Sequence, residues 1–159
     1  TLDGTEYASF QKKWTEEDYH SRIQRLVNAI EILDCDVLCF MELENSLVLQ
    51  DMSQAVSDKL VWDKTKGYPF GAFLKNKGDS IGCGVLSKFE LTDMRSHQFT
   101  DYSANPDHIS LRPLMQIKVN AKTPFVLFVN HWKSKLGDGT EYYRQWQQSI
   151  LAQNMQKAM

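Results

Sequence analysis

Two short apolar runs, each followed at once by polar side chains, constrain the fold of this chain most strongly. Residues 37–41 (Val-Leu-Cys-Phe-Met) lead into Glu42, and Phe125–Val129 leads into Asn130 and His131. Such runs are too short for ordinary helices but long enough for buried strands. We therefore predict two strands in a packed core, each of which delivers hydrogen-bonding side chains to one edge of that core.

Composition sets loose bounds on the class of protein. With 159 residues, of which 42% are hydrophobic, the chain can bury one core, and we expect a single globular domain. A net charge of −2 and a pI near 6.1 argue against a dedicated polyanion binder. They are compatible with a nuclease or phosphatase that uses carboxylates for a metal and a local basic patch for phosphate. No apolar stretch approaches the roughly 20 residues that span a bilayer, and no signal peptide is visible. Because the chain starts at Thr1, we expect a processed or trimmed start, which leaves the compartment open.

Three helices are predicted from apolar spacing. Thr15, with Asp18 three residues on, resembles an N-cap with an acidic first turn. Ser46 is expected to cap a second helix, and a third is expected over about residues 141–158. The apolar positions recur with helical spacing in the first two: Tyr19, Ile23, Leu26, Val27, Ile30 and Leu33, then Val48, Met52, Ala55, Val56 and Leu60.

The middle of the chain indicates strands. Phe70–Leu74 and residues 81–86 flank a hairpin-type connection, and alternation over residues 115–119 predicts a half-buried strand paired with Phe125–Val129. The run 37–41 is typical of a strand covered on both faces. Residues 1–13 and 100–107 are polar and are expected to form loops.

The three cysteines show no metal-site spacing. Cys39 and Cys83 lie in apolar runs, so we interpret them as small core residues. A bridge between Cys35 and Cys39 is disfavoured, because an extended strand separates them by roughly 13 Å.

Several segments carry a family resemblance. They resemble, in order along the chain, segments of the endonuclease/exonuclease/phosphatase superfamily of deoxyribonuclease-like, metal-dependent phosphoesterases, in particular bacterial members related to secreted nucleases. The matching segments are DVLCFMELEN at 36–45, GVLSK at 84–88, RPL at 112–114, NHWKSK at 130–135, and Arg144 with Gln147 in an R-x-x-Q helix.

The resemblance implies an α+β fold that is part of a four-layer α/β/β/α sandwich with mixed, mainly antiparallel sheets. It also implies that residues 1–159 are a single partial domain. The family's first strand would precede Thr1. The segments with a metal-binding or water-activating Asp, a phosphate-contacting Asn and a second His would follow Met155, in a missing C-terminal half of the same domain.

The resemblance also implies a metal site and proton chemistry. Glu42 corresponds to the family's ligand for Mg²⁺ or Mn²⁺, and hard oxygen ligands suit both ions. From the residues alone, Glu42 is better interpreted as an exposed residue at the start of a loop, and the resemblance reverses that interpretation. His131 corresponds to the histidine that stabilises or protonates phosphate oxygens, although a strand-end histidine is often only a satisfied polar residue. Asp79 resembles its carboxylate partner by position, and turn chemistry explains Asp79 equally well.

Five further residues are expected to contact substrate. Arg112 could clamp a phosphate bidentately, or could instead form a salt bridge to the 100–107 loop. Asn130, Lys133 and Ser134 offer hydrogen bonds and charge to a phosphodiester, with a solvated basic turn as the alternative. Asn45 is often a helix-start residue, but the equivalent family position lies close to the site.

These expectations combine into one function with open alternatives. We predict a Mg²⁺-dependent phosphodiester hydrolase and favour a nuclease, endonuclease or exonuclease, which binds nucleic acid and lacks a membrane span. A phosphatase or lipid phosphodiesterase of the same fold, and a non-catalytic binding domain, remain alternatives. The resemblance slightly favours a bacterial, secreted or periplasmic location.

Overall fold

The computed structural model describes residues 15–60, 63, 66–99, 111–135 and 140–158, which contain three helices and six strands. In order, the elements are α1 (Glu16–Leu33), β1 (Val37–Leu43), α2 (Ser46–Lys59), β2 (Phe70–Leu74), β3 (Gly82–Ser87), β4 (Leu91–His97), β5 (Leu114–Val119), β6 (Phe125–Val129) and α3 (Thr140–Ala158). The loops expected at 1–13 and 100–107 lie outside the described residues. Among the helices of the described ranges, none combines the length and apolarity needed to cross a membrane.

Two antiparallel sheets form the centre of the molecule. The first has the strand order β1-β3-β2 and the second β4-β5-β6. Helices α1 and α2 pack on the outer face of the first sheet, around Leu38 and Leu86. The inner faces meet at Val85 and Met115, and α3 covers the outer face of the second sheet around Leu114. The layers therefore follow the order α/β/β/α, and the predicted α+β class is confirmed.

Local capping explains where the first two helices begin. Thr15 and Asp18 form a reciprocal capping box, in which the Asp18 N–H donates to Thr15 Oγ1 at 3.1 Å. The prediction that Ser46 caps α2 is wrong by one residue. The cap is Asn45, whose Oδ1 accepts hydrogen bonds from the N–H groups of Leu47 at 2.9 Å and Val48 at 3.3 Å. Asparagine is among the best N-cap residues because its short side chain reaches these free donors.

Strand β1 is less buried than its sequence indicates. Leu38 is its one buried residue, while Cys39 is exposed, so the predictions of a strand covered on both faces and of a core Cys39 are wrong. Within the described sheets β1 is an edge strand, and the second sheet covers the inner face of the central strand β3 instead. Cys83, on β3, is buried as predicted, and all three cysteines are free thiols.

The predicted hairpins are present. β2 pairs with β3, and β5 pairs with β6 in a register that sets Met115 opposite Val129. Strand β4 was not anticipated, because most of its side chains are exposed and it lacks a regular apolar alternation. It pairs with β5 and completes the second sheet.

Candidate functional site

The ends of four strands meet at one end of the sandwich. In the first sheet the end of β1 pairs with the start of β3, with Leu43 opposite Gly82. In the second sheet the end of β6 adjoins the start of β5. The antiparallel pairing and the facing sheets therefore place the residues after β6, the residues before β3 and β5, and Glu42 of β1 beside one another.

A β-bulge in β1 directs Glu42 toward the second sheet. The pairing with β3 shifts register between Phe40 and Leu43, and Glu42 has a φ of 62°. Leu38, Phe40 and Leu43 all pack with the helix-side core, although the strand period of two would give that side to residue 42 rather than 43. Left-handed backbone is uncommon for a non-glycine residue and costs roughly 1–2 kcal/mol. Such strained positions cluster at functional sites.

Glu42 and His131 approach each other across the two sheets. His131 Nε2 lies 3.4 Å from Glu42 Oε1, and the side chains are 20% and 63% exposed. Burial lowers the pKa of His131 below its ordinary value of 6.5, Arg112 lowers it further, and Glu42 opposes both effects. Burial and Arg112 therefore favour the neutral imidazole, while the neighbouring Glu42 carboxylate favours its charged form.

A polar cavity of about 190 Å³ lies next to this pair. Four of the predicted site residues contribute to its wall, so the structure brings them together at one place. Its lining is Gly78, Asp79, Ser80, Ile81, Leu111, Arg112, His131 and Lys133. A space of this size holds several water molecules or a small anionic group.

Three buried polar atoms of this site have no hydrogen-bond partner in the described structure: Asp79 Oδ2, Asn130 Oδ1 and His131 Nδ1. An unsatisfied buried polar atom costs about 1–3 kcal/mol, so a concentration of them indicates a place for water, an ion or a ligand. The predicted Asp79–His131 pair is not hydrogen-bonded here, since Asp79 Oδ2 and His131 Nδ1 both lack a partner while Nε2 contacts Glu42. The two side chains share the cavity, and their pairing stays a prediction.

Two side-chain amides fix the backbone around the cavity. Asn76 Nδ2 donates to the carbonyl oxygen of Leu111 at 2.9 Å, which ties the β2–β3 turn to the residue before Arg112. Gln147 Oε1 on α3 accepts a hydrogen bond from the Lys133 N–H at 2.9 Å. The sequence analysis missed Asn76, because an asparagine in the run Lys-Asn-Lys-Gly is indistinguishable from an ordinary turn residue.

Two further residues were predicted to contact substrate, Asn45 and Ser134. Asn45 uses its Oδ1 to cap α2, which leaves its amide nitrogen for another partner. Ser134 is exposed just beyond Lys133. Neither of these two residues lines the cavity. The salt bridge that Arg112 was alternatively expected to form with the 100–107 loop falls outside the described residues.

Two carboxylates lie where a metal ion could bind: Glu42, in contact with His131, and Asp79, in the wall of the cavity. Among the described residues no group of three or more His, Cys, Asp or Glu side chains could hold one. Mg²⁺, however, is commonly bound through one or two carboxylates, with waters and substrate phosphates filling its other positions. Glu42 does not line the cavity, but its exposed carboxylate lies 3.4 Å from His131, which does, so Glu42 fits that kind of site as a single protein ligand.

Comparison with known proteins adds no family to this picture. No protein-family model matches the chain, and no curated protein matches it significantly.

Proposed function

We propose that this protein is a metal-dependent phosphodiester hydrolase that acts as a nuclease. The observation that carries the proposal is the approach of His131 to Glu42 at 3.4 Å, beside a cavity that Arg112 and Lys133 also line. A carboxylate, an imidazole and two cations at or beside a polar space are groups that can take part in metal-dependent phosphate-ester hydrolysis.

Arg112 and Lys133 would bind the substrate phosphate. A guanidinium matches two phosphate oxygens at once, and an ammonium adds a compact positive charge. Both side chains are partly buried, so their attraction to phosphate is screened less than at an open surface. This pair favours a phosphodiester or phosphomonoester over an uncharged ester.

His131 would hold the proton that the leaving oxygen receives. Its lowered pKa makes the imidazolium a stronger acid, and Glu42 stabilises that imidazolium while it carries the proton. Asp79 could orient the ring through Nδ1, since both face the same cavity, and Nε2 would then give its proton to the leaving oxygen in place of its contact with Glu42. We assign no described residue to activation of the attacking water.

Glu42 would hold Mg²⁺ or Mn²⁺. When bound, the ion polarises the phosphoryl oxygens and offsets the developing negative charge. The strained backbone of Glu42 supports this role, because the bulge holds the carboxylate beside His131 rather than against the helices.

The experiment is a substrate and metal panel on the purified full-length protein. Supercoiled plasmid DNA, RNA, an inositol phosphate, a phospholipid and bis(p-nitrophenyl) phosphate are incubated with Mg²⁺, Mn²⁺ or EDTA. We expect metal-dependent cleavage of nucleic acid, abolished by EDTA and restored by excess Mg²⁺. Preference for the inositol phosphate or the lipid would replace the nuclease proposal by the related activity. Absence of metal-dependent cleavage of every substrate would favour a binding domain.

A variant pair tests the catalytic assignment. His131→Ala should lower kcat by about 10²- to 10⁴-fold, the usual contribution of a positioned acid or base. His20→Ala is the matched control, because His20 is an exposed histidine on α1. Full turnover in a folded His131→Ala protein would contradict the role.

A further inference from the structure

Gln147 is a fully buried polar residue on α3, where it lies among partly buried apolar and aromatic side chains; Thr140 is the other buried residue of this helix. Gln147 is 2% exposed. The residues that pack beside it on the second sheet are Tyr143, Trp146, Ile150 and Leu151. A leucine or methionine would fill this position without the desolvation penalty of an amide, so the amide needs a compensating partner.

That partner is the backbone of the segment that carries the site. Gln147 Oε1 accepts a hydrogen bond from the Lys133 N–H at 2.9 Å. Lys133 follows the end of β6 and has no regular secondary structure, so no ladder bond serves its N–H group. The helix thereby fixes the chain two residues after His131, where irregular backbone would otherwise be free to move.

Gln147 itself stands apart from the cavity. It does not belong to the cavity lining, whereas both His131 and Lys133 do. Helix α3 covers the outer face of the second sheet, whereas the inner face of that sheet packs against the first sheet. Any effect of Gln147 on chemistry must therefore pass through the backbone of residues 131–133.

We propose that Gln147 is a positioning residue that sets the Lys133 backbone and, through it, the grip of Lys133 on substrate phosphate. The proposal rests on the proposed phosphodiester hydrolysis for its kinetic consequence. The hydrogen bond predicts a structural consequence that needs no activity.

The structural test is amide hydrogen exchange on the folded protein. Gln147→Met keeps the length and burial of the side chain but removes the acceptor. We expect the Lys133 amide to exchange roughly tenfold faster, the value of one net hydrogen bond, while the Ile117 amide in the core keeps its protection. Gln148→Met, at an exposed position one residue on, is the matched control and should change neither. Unchanged exchange at Lys133 in Gln147→Met would overturn the proposal.

A second variant keeps the hydrogen-bond acceptor at this position. Gln147→Glu retains an oxygen acceptor at the same reach, so it should keep the protection of the Lys133 amide. A folded Gln147→Glu protein that loses this protection would also overturn the proposal, whatever Gln147→Met does.

The kinetic test is a double-mutant cycle with Lys133→Ala on plasmid DNA. Gln147→Met alone should raise KM roughly tenfold with little change in kcat, and it should add nothing to the KM of Lys133→Ala. A merely stabilising residue would instead lower the active fraction, and so kcat, equally in both backgrounds. That result would refute the positioning role. If no variant or wild-type protein turns over substrate, the proposed function fails, and the exchange result still decides the position of Lys133.

Discussion

Glu42 lies on β1 of the first sheet and His131 follows β6 of the second, yet His131 Nε2 lies 3.4 Å from Glu42 Oε1. The contact exists because β1 carries one extra residue before Leu43, which leaves Glu42 in a left-handed conformation and free to leave the helix side of its sheet. The pKa of His131 therefore depends on the charge of Glu42. This coupling is measurable without any substrate or metal.

Replacing Glu42 should lower the pKa of His131. Burial and the positive charge of Arg112 already depress this pKa, and Glu42 is the group that raises it. Glu42→Gln removes the negative charge and keeps the shape, so the imidazolium loses its stabilising partner. The measurement is an NMR titration of the His131 ring in wild type and variant.

Two variants test the cause of that shift. Glu16→Gln removes an exposed carboxylate on α1 and should leave the His131 titration unchanged. Arg112→Gln should raise the pKa of His131, since it removes a repelling positive charge. If the pKa of His131 in the Glu42→Gln protein is equal to or above the wild-type pKa, the two side chains do not interact in solution.

The lowered pKa of His131 also predicts how stability depends on pH. The ordinary value of 6.5 applies to the unfolded chain, and the folded value is lower. Below pH 6.5 the unfolded chain thus binds more protons, and the free energy of unfolding falls as the pH drops toward the folded pKa. Above that window the group contributes nothing to the slope. Urea denaturation at a series of pH values between 5 and 8 measures the effect.

His131→Gln should flatten this part of the stability curve. Asp34 does not interfere, because Lys66 and Lys88 hold the pKa of that carboxyl below its ordinary 3.8, so its contribution is lost only in stronger acid. A slope between pH 5 and 6.5 that persists unchanged in His131→Gln would assign the pH dependence to other groups.

The sequence predicts well where the strands of this site end. Apolar runs that stop at Glu42 and at His131 indicate where two strands deliver polar groups, and the structure brings these two residues together. The bulge was not predictable, because it depends on the register with Gly84 and Gly82 of β3 rather than on residues 40–43 themselves. The same holds for Asn76, whose partner Leu111 is 35 residues away.

The sequence predicts poorly which strand residues are buried. Composition marks Cys39 as a core residue, but its exposure depends on which strand lies at a sheet edge and how far the facing sheet extends. Strand β4 escaped notice for a related reason. It is held by its pairing with β5, while its own side chains remain largely exposed.

Two substitutions of Asn45 can separate its structural role as an N-cap from its predicted contact with substrate. Asn45→Ala removes the N-cap of α2 and should cost about 1 kcal/mol of stability. Asn45→Ser keeps an oxygen acceptor for the cap, so it should retain most of the stability while losing the amide nitrogen. If Asn45 contacts substrate as predicted, Asn45→Ser raises KM on plasmid DNA with the melting temperature preserved. Wild-type kinetics in Asn45→Ser would limit Asn45 to capping.

Gly82 should be the least replaceable glycine of the first sheet. A Cβ at this position would meet the Lys75 Cβ at 2.6 Å and press on the backbone carbonyl oxygen of Leu74. Backbone of a paired neighbouring strand cannot move aside cheaply, so Gly82→Ala should destabilise the protein by about 1–3 kcal/mol. Because Gly82 pairs with Leu43, the displacement should also reach the Glu42 bulge and change the His131 titration.

Gly71→Ala is the matched control for this prediction. It adds the same methyl group to the same sheet, but the nearest atoms lie at 3.5 Å and 3.6 Å, which is ordinary van der Waals contact. Chemical denaturation of both variants, with the His131 ring followed by NMR, makes the comparison. Equal stability of Gly82→Ala and Gly71→Ala would show that the β2–β3 hairpin yields more easily than its close packing indicates, and that the position of Glu42 does not depend on it.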